Sequence, residues 1–190
     1  GLFLIGINKQ YSDKIPTAGV SKHGIGMQLT INPEFYNELS EDHRFGLMKH
    51  ELLHIAFGHL LLRDLYSDHK LFNIAADLEI NQYIKESKLP TGGLLLSSFP
   101  ELNLPIKAGT KKYYELLEQA QKDGTCPGLD SLMDKMDGES EYCHSTWNDF
   151  DDLSEPDKKL MQKQVEHQLK ESAEQTVKKC GNIPGEMSDI

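Results

Sequence analysis

The segment Lys49–His59, which reads KHELLHIAFGH, constrains the fold of this chain more than any other. The residues around it are mainly apolar, so a helix formed here is hydrophobic nearly all round and is expected to be buried. The same segment carries two histidines, His50 and His54, and the acidic residue Glu51. Because buried polar side chains need partners, the fold must bring other groups to these three residues. A surface helix with two solvated histidines is the alternative interpretation, and the apolar surroundings argue against it.

The spacing of these three residues predicts a metal site. Histidines four residues apart lie about 40° apart around a helix, so both rings can bind one ion. A glutamate directly after the first histidine projects beside the pair and can reach a water molecule on that ion. Zinc lowers the pKa of such a water to about 7, so that a carboxylate can take its proton. We therefore predict that His50 and His54 are zinc ligands and that Glu51 is a general base.

A catalytic zinc ion normally has three protein ligands, so a third residue is required. We favour Asp77, which lies on a second predicted helix that is long enough to pack antiparallel to the first. Asn73 and Asn81 fall on the same polar stripe of that helix, since each is four residues from Asp77. These amides can orient the aspartate or the histidines through hydrogen bonds.

Four other residues are alternatives for the third ligand. On a straight helix His59 is turned about 140° from the second motif histidine and points elsewhere. His69 falls in a polar connection, where a solvated side chain is the simpler interpretation. Glu79 is turned about 200° from the favoured aspartate and is expected to face away. For His144 we predict instead a catalytic role as a donor to the oxyanion, and a capping or core histidine is the competing interpretation.

Composition limits the classes of partner. The 190 residues carry a formal net charge of −10, which disfavours nucleic acid and anionic membranes because both require basic surface. No apolar run approaches the roughly 18 residues of a membrane span, and the apolar stretch 2–7 lacks the basic leader of a signal peptide. Three scattered cysteines without a C-x-x-C pair predict free thiols in a reducing, cytoplasmic compartment. Cys143 beside His144 is a less favoured nucleophile, because adjacent side chains seldom face each other.

Strands are predicted near the beginning of the chain and helices over most of the remainder. The strand signals cover 2–7, 17–20 and 25–31, and a polar loop separates the first two. The helix signals cover 34–39, about 41–62, about 71–86, 111–120 and 154–180. Gly58 is a candidate break in the second of these helices, but the apolar residues that follow it favour a continuous helix.

The stretch 122–152 is rich in glycine, aspartate and serine and shows no regular periodicity. A long irregular segment inside a compact domain is more often functional than idle. We therefore predict a mobile flap over the metal site, with a disordered surface loop as the equal alternative. The whole chain is predicted to be one domain over 1–190, with its core over about 15–120, the covering segment over 122–152 and a long C-terminal helix over 154–180.

Several short motifs occur in a recognisable order along the chain. They are Pro16–Ala18, Ile31–Phe35, His50–His54, His59 with Arg63, Asn73–Asp77 through Asn81, Gly181–Gly185 and, less closely, His144 with Trp147. With these motifs the chain resembles the zinc metallopeptidase domain that precedes a von Willebrand factor A-like domain in certain bacterial and phage proteins. The resemblance implies an α+β, zincin-like fold. In such a fold a small N-terminal β-sheet packs on the H-E-x-x-H helix and a second site helix, with additional C-terminal helices.

These observations lead to the hypothesis of a zinc-dependent metallopeptidase that hydrolyses polypeptides. The main alternative is a non-catalytic, metal-stabilised interaction module that acts with a downstream von Willebrand factor A-like domain or an associated ATPase. Glu51 discriminates between the two, since a structural zinc site is closed by four ligands and needs no base. Metal-dependent hydrolysis of a non-peptide substrate is a second, weaker alternative.

Overall fold

The structure is a computed structural model that describes residues 7–136 and 145–180. Four features of the sequence analysis lie outside these residues. They are most of the first predicted strand, Cys143, His144 and the motif Gly181–Gly185.

A three-stranded sheet forms the N-terminal part, from β1 (Asn8–Tyr11), β2 (Ala18–His23) and β3 (Gly26–Ile31). The central strand β3 pairs in parallel with β1 and antiparallel with β2. The hairpin of β2 and β3 is confirmed, and Gly24 in its turn takes a positive φ of 61°. β1 was not expected, because its residues fall in a predicted loop. All four of its residues are exposed, so it has no alternating apolar pattern, and pairing with β3 alone makes it a strand.

Helices make up most of the rest of the described chain. They are α1 (Pro33–Glu38), α2 (Glu41–Ala56), α3 (His59–Leu62), α4 (His69–Ile80), α5 (Thr110–Asp123), α6 (Pro127–Met136), α7 (Asn148–Asp151) and α8 (Glu155–Cys180). Single 3₁₀ turns lie at Arg63–Leu65, Asn81–Tyr83, Glu86–Lys88, Leu96–Ser98, Pro100–Leu102 and Ser145–Trp147. The small sheet with its helices confirms the predicted α+β class and is consistent with a zincin-like arrangement. Among the described helices none is both long and apolar enough to cross a membrane.

Helix α2 begins where its sequence predicts. The hydroxyl of Ser40 accepts a hydrogen bond from the backbone N–H of His43 at 3.2 Å, which caps the first turn. Glu41 and Asp42 add negative charge to that turn, where the helix dipole favours it. Helix α4 is capped in the same way by Asp68, whose carboxylate accepts from two backbone N–H groups at 3.0 Å.

Helix α2 ends earlier than predicted, and the expectation of a continuous helix to Leu62 was wrong. The helix stops at Ala56, and Gly58 takes the left-handed conformation with a φ of 71°. Its N–H donates to the carbonyl of Ile55 at 3.0 Å, and the short helix α3 starts at His59. Glycine adopts this conformation without a Cβ penalty, which makes it the common residue just after a helix end. The chain therefore changes direction between His54 and His59.

The core lies between the sheet and the surrounding helices. Its fully buried side chains include Leu29 of β3, Phe72 and Leu78 of α4, and Leu117 of α5. Eight of the twelve residues of α4 are buried, as its nearly continuous apolar sequence requires. The second site helix is thus enclosed on most sides by apolar packing.

The stretch 122–152 is more regular than its composition suggests. Helix α6 places Leu129 in the core, and Leu132 and Met133 pack against it. These apolar residues stand three and four apart, which is a helical signal that the surrounding glycines and aspartates obscure. The movement of this stretch as a flap over the metal site stays a prediction.

We expect alanine to be tolerated at Gly58, just after α2, but not at Gly46 within it. A Cβ at Gly46 of α2 would lie 1.8 Å from the carbonyl oxygen of Lys88, and a backbone atom cannot swing away. Gly46→Ala should therefore lower the free energy of unfolding by about 3 kcal/mol. A Cβ at Gly58 meets nothing within 4 Å, so Gly58→Ala should cost only the strain of a positive φ, about 1 kcal/mol. Denaturant unfolding of the two variants measures the difference, and equal losses would contradict the close approach at Gly46.

Candidate metal centre

Three side chains from two helices bring one atom each to a common point. Nε2 of His54 lies 3.0 Å from Nε2 of His50 and 3.2 Å from Oδ1 of Asp77. The remaining side of this triangle, from His50 to Asp77, is 3.6 Å. Tetrahedral zinc ligands at 2.0–2.1 Å from the ion lie about 3.3–3.4 Å from one another, so the triangle has the size that one ion requires. Within residues 7–136 and 145–180, no other set of histidine, cysteine and acidic side chains converges in this way.

The two helices place these atoms by different means. The motif spacing on α2 sets the rings of His50 and His54 edge to face, with centroids 4.5 Å apart. Helix α4 runs beside α2 and contributes Asp77 from its fourth-last position. His54 is fully buried, whereas 13% of the His50 side chain and 17% of the Asp77 side chain are exposed. The group is therefore shielded from solvent at His54 and accessible to solvent at His50 and Asp77.

Asn81 holds the ring of His50 in an orientation suited to metal binding. Its Nδ2 donates to the carbonyl of Leu94 at 2.8 Å, which turns Oδ1 toward Nδ1 of His50 at 2.9 Å. Nδ1 of His50 thus donates its proton to Asn81, and Nε2 presents a lone pair toward Asp77 and His54. Asn73 was expected to play a similar part, but its buried Oδ1 has no hydrogen-bond partner among the described residues.

Glu51 is buried beside the three converging atoms. Only 1% of the residue is exposed, and Oε1 has no hydrogen-bond partner among the described residues. Burial raises the pKa of this carboxyl to about 7, against the opposing effect of His50, and the charge of Asp77 raises it further. A buried carboxylate without a partner is costly, so the position calls for a functional explanation.

His59 and Glu79 lie behind His54 rather than in the triangle. Nδ1 of His59 is 2.9 Å from Nδ1 of His54, and Nε2 is 2.9 Å from Oγ1 of Thr110 and 3.3 Å from Oε2 of Glu79. Burial tends to raise the pKa of Glu79, but hydrogen bonds from His59 and Thr110 outweigh it and lower that pKa. Sequence reasoning missed this cluster because it assumed an unbroken helix through Gly58. Gly58 itself was the signal for a break.

The other candidates of the sequence analysis do not enter the described group. His69 is the first residue of α4 and stands apart from the triangle. His144 lies outside the described residues, so its role as a donor to the oxyanion stays a prediction. Its neighbour Trp147 is fully buried and packs edge to face on His54, with ring centroids 4.8 Å apart. Thr146 donates its hydroxyl to the carbonyl of Val20 on β2 at 2.7 Å, so this turn joins the sheet to the site.

Comparison with known proteins gives one match that covers nearly the whole chain. A family model described as "Putative metallopeptidase domain" matches residues 9–190. The chain belongs to this family. The match agrees with the resemblance drawn from the sequence motifs, and it accords with the His-His-Asp group. No curated protein and no solved structure matches the chain.

The buried charge of Glu51 predicts a pH-dependent gain in stability on its removal. Since folding raises the pKa from 4.5 to about 7, the ionised carboxylate destabilises the folded protein at high pH but not at low pH. The free energy of unfolding of Glu51→Gln minus that of the unsubstituted protein should rise by roughly 2 to 3 kcal/mol between pH 5 and pH 9. Denaturant unfolding with a chelator present measures this difference.

Glu174→Gln provides the matched control, because Glu174 is exposed on α8. Folding does not desolvate this carboxylate, so the corresponding difference should stay constant across the pH range. A constant difference for Glu51→Gln as well would contradict the burial of an ionisable group beside the metal centre.

Proposed function

We propose that the protein is a zinc-dependent metallopeptidase in which His50, His54 and Asp77 bind the ion and Glu51 is the general base. One observation carries the proposal. Three ligand atoms converge within 3.6 Å of one another, beside a buried carboxyl oxygen that no described residue satisfies. A structural zinc site would be closed by a fourth protein ligand, whereas the described residues supply three ligands here, and two of these are partly exposed.

The donor set fits zinc in chemistry as well as in size. Two imidazole nitrogens and one carboxylate oxygen are ligands that zinc commonly takes in catalytic sites. Asn81 places the His50 proton on Nδ1, so that Nε2 is the ligand atom. When bound, zinc would supply Lewis-acid activation of the attacking water and of the scissile carbonyl.

The residue that moves protons in this proposal is Glu51. It follows His50 directly on α2, so its carboxylate projects beside the ligands rather than among them. One carboxyl oxygen takes a proton from the attacking water, and the resulting acid gives that proton to the nitrogen of the leaving amine. The apolar burial that raises its pKa to about 7 suits a group that must both accept and return a proton near neutral pH.

The substrate in this proposal is a polypeptide. The chain's net charge of −10 favours basic or unstructured segments, which an acidic surface attracts. We retain a downstream von Willebrand factor A-like domain or an associated ATPase as proposed partners, on the ground of the family resemblance. The non-catalytic module remains the competing proposal, and the buried Glu51 counts against it because such a module needs no base.

Metal analysis and hydrolysis together test the proposal. We expect one zinc per chain in the purified protein, and we expect His50→Ala and Asp77→Ala to lose it. Glu51→Gln should retain zinc and lower the rate of hydrolysis of an unfolded protein substrate by about 10²- to 10⁴-fold. His69→Ala, outside the triangle, should behave as the unsubstituted protein.

Three results would contradict the proposal in different ways. A zinc content near zero that added zinc does not restore would refute the metal centre. One zinc per chain with equal hydrolysis by Glu51→Gln and the unsubstituted protein would refute the role of Glu51. One zinc per chain without hydrolysis of any polypeptide tested would favour the interaction module.

A further inference from the structure

His54 can bind a metal ion only in one of its two neutral forms. Its Nε2 faces His50 and Asp77, and its Nδ1 lies 2.9 Å from Nδ1 of His59. A hydrogen bond between two ring nitrogens needs a proton on one and a lone pair on the other. Because the ion takes the lone pair of Nε2, the proton must be on Nδ1 of His54. His59 must then accept it.

The groups beyond His59 set the direction of this hydrogen bond. The carboxylate of Glu79 only accepts, and its Oε2 receives both the backbone N–H of Thr110 at 2.8 Å and the hydroxyl of Thr110. Since that hydroxyl donates to Glu79, it presents a lone pair to Nε2 of His59 at 2.9 Å. Both of these neighbours of Nε2 are acceptors, so a neutral His59 carries its proton on Nε2. Its Nδ1 is then the acceptor that His54 requires.

Two features of the fold bring these groups together. The left-handed turn at Gly58 returns His59 toward His54, from which it would be turned about 140° on a continuous helix. Thr110 is the first residue of α5, a helix of 14 residues whose positive N-terminal end favours the carboxylate of Glu79. His54 and His59 are both fully buried, so water cannot replace either partner of the hydrogen bond.

We propose that His59 is a positioning residue which, with Thr110 and Glu79 behind it, keeps the proton of His54 on Nδ1 and presents Nε2 to the metal ion. This inference rests on the proposed function, because it explains how one of the proposed ligands is prepared. Hydrogen-bond partners behind a ligand commonly change metal affinity by about 10- to 100-fold.

Substitutions along the chain of hydrogen bonds give the first test. His59→Phe keeps a ring among Phe57 and Phe72 but removes the acceptor. We expect it to weaken Zn²⁺ binding by about 10- to 100-fold in competition with a chromogenic chelator. Thr110→Val removes only the hydroxyl and should weaken binding in the same direction, whereas Thr110→Ser keeps the hydroxyl and should retain the affinity.

The control separates positioning from general stability. Leu117 is fully buried on α5, the helix that begins with Thr110, and it lies in the apolar core. Leu117→Ala should lower the unfolding temperature without changing zinc affinity at temperatures where the protein is folded. Equal zinc affinity of His59→Phe and the unsubstituted protein, or a loss with Thr110→Ser as large as with Thr110→Val, would overturn the proposal.

A second readout does not depend on metal binding. In the metal-free protein labelled with ¹⁵N-histidine, the ring nitrogen shifts should show a neutral His59 with its proton on Nε2, and Thr110→Val should populate the form with the proton on Nδ1. If no zinc binds but His59 has the Nε2 form, the proposed function fails and the positioning by His59 stands. If His59 carries its proton on Nδ1 in the unsubstituted protein, it cannot accept from His54 and the positioning proposal is overturned, whatever the zinc content.

Discussion

The structure of the centre depends on one contact, in which the polar stripes of two otherwise apolar helices face each other. Helix α2 contributes His50 and His54 to this contact, and α4 with the turn after it contributes Asp77 and Asn81. Each of these side chains would be costly in an apolar core without its partner on the other helix. The polar groups therefore fix the register of the two helices, while the surrounding apolar residues supply the burial.

Support for this contact comes from parts of the chain that are distant in sequence. Trp147 packs on the ring of His54 from the turn before α7. Arg63, just after α3, forms a partly buried ion pair with Asp151 at 2.6 Å, and Asp64 pairs with Lys158 on α8. These pairs hold the C-terminal helices against the chain that follows the metal-binding motif. Side chains locked by such contacts keep a site in a defined geometry.

The sequence predicted those parts of the site that depend on local spacing. His50 and His54 follow from a helical repeat, and Asp77 follows from a polar stripe on an apolar helix. The contact between His59 and Thr110 could not be predicted, because it depends on the turn at Gly58 and on how α5 packs against α4. The strand β1 was missed for a related reason. Its side chains are exposed, and backbone pairing with a strand that is distant in sequence produces no hydrophobic pattern in β1 itself.

The arrangement of buried groups suggests why the fold needs so extensive an apolar core. Oε1 of Glu51 and Oδ1 of Asn73 are buried and find no hydrogen-bond partner among residues 7–136 and 145–180, so both atoms oppose folding of the metal-free protein. Helix α4 offsets this cost, since its side chains Leu71, Phe72 and Ile74 are completely buried. A metal ion that binds only the folded chain adds its binding free energy to stability. The proposed centre would therefore couple metal binding to folding, and the proposed role of Glu51 as the base would explain why a carboxyl that is costly to bury is retained there.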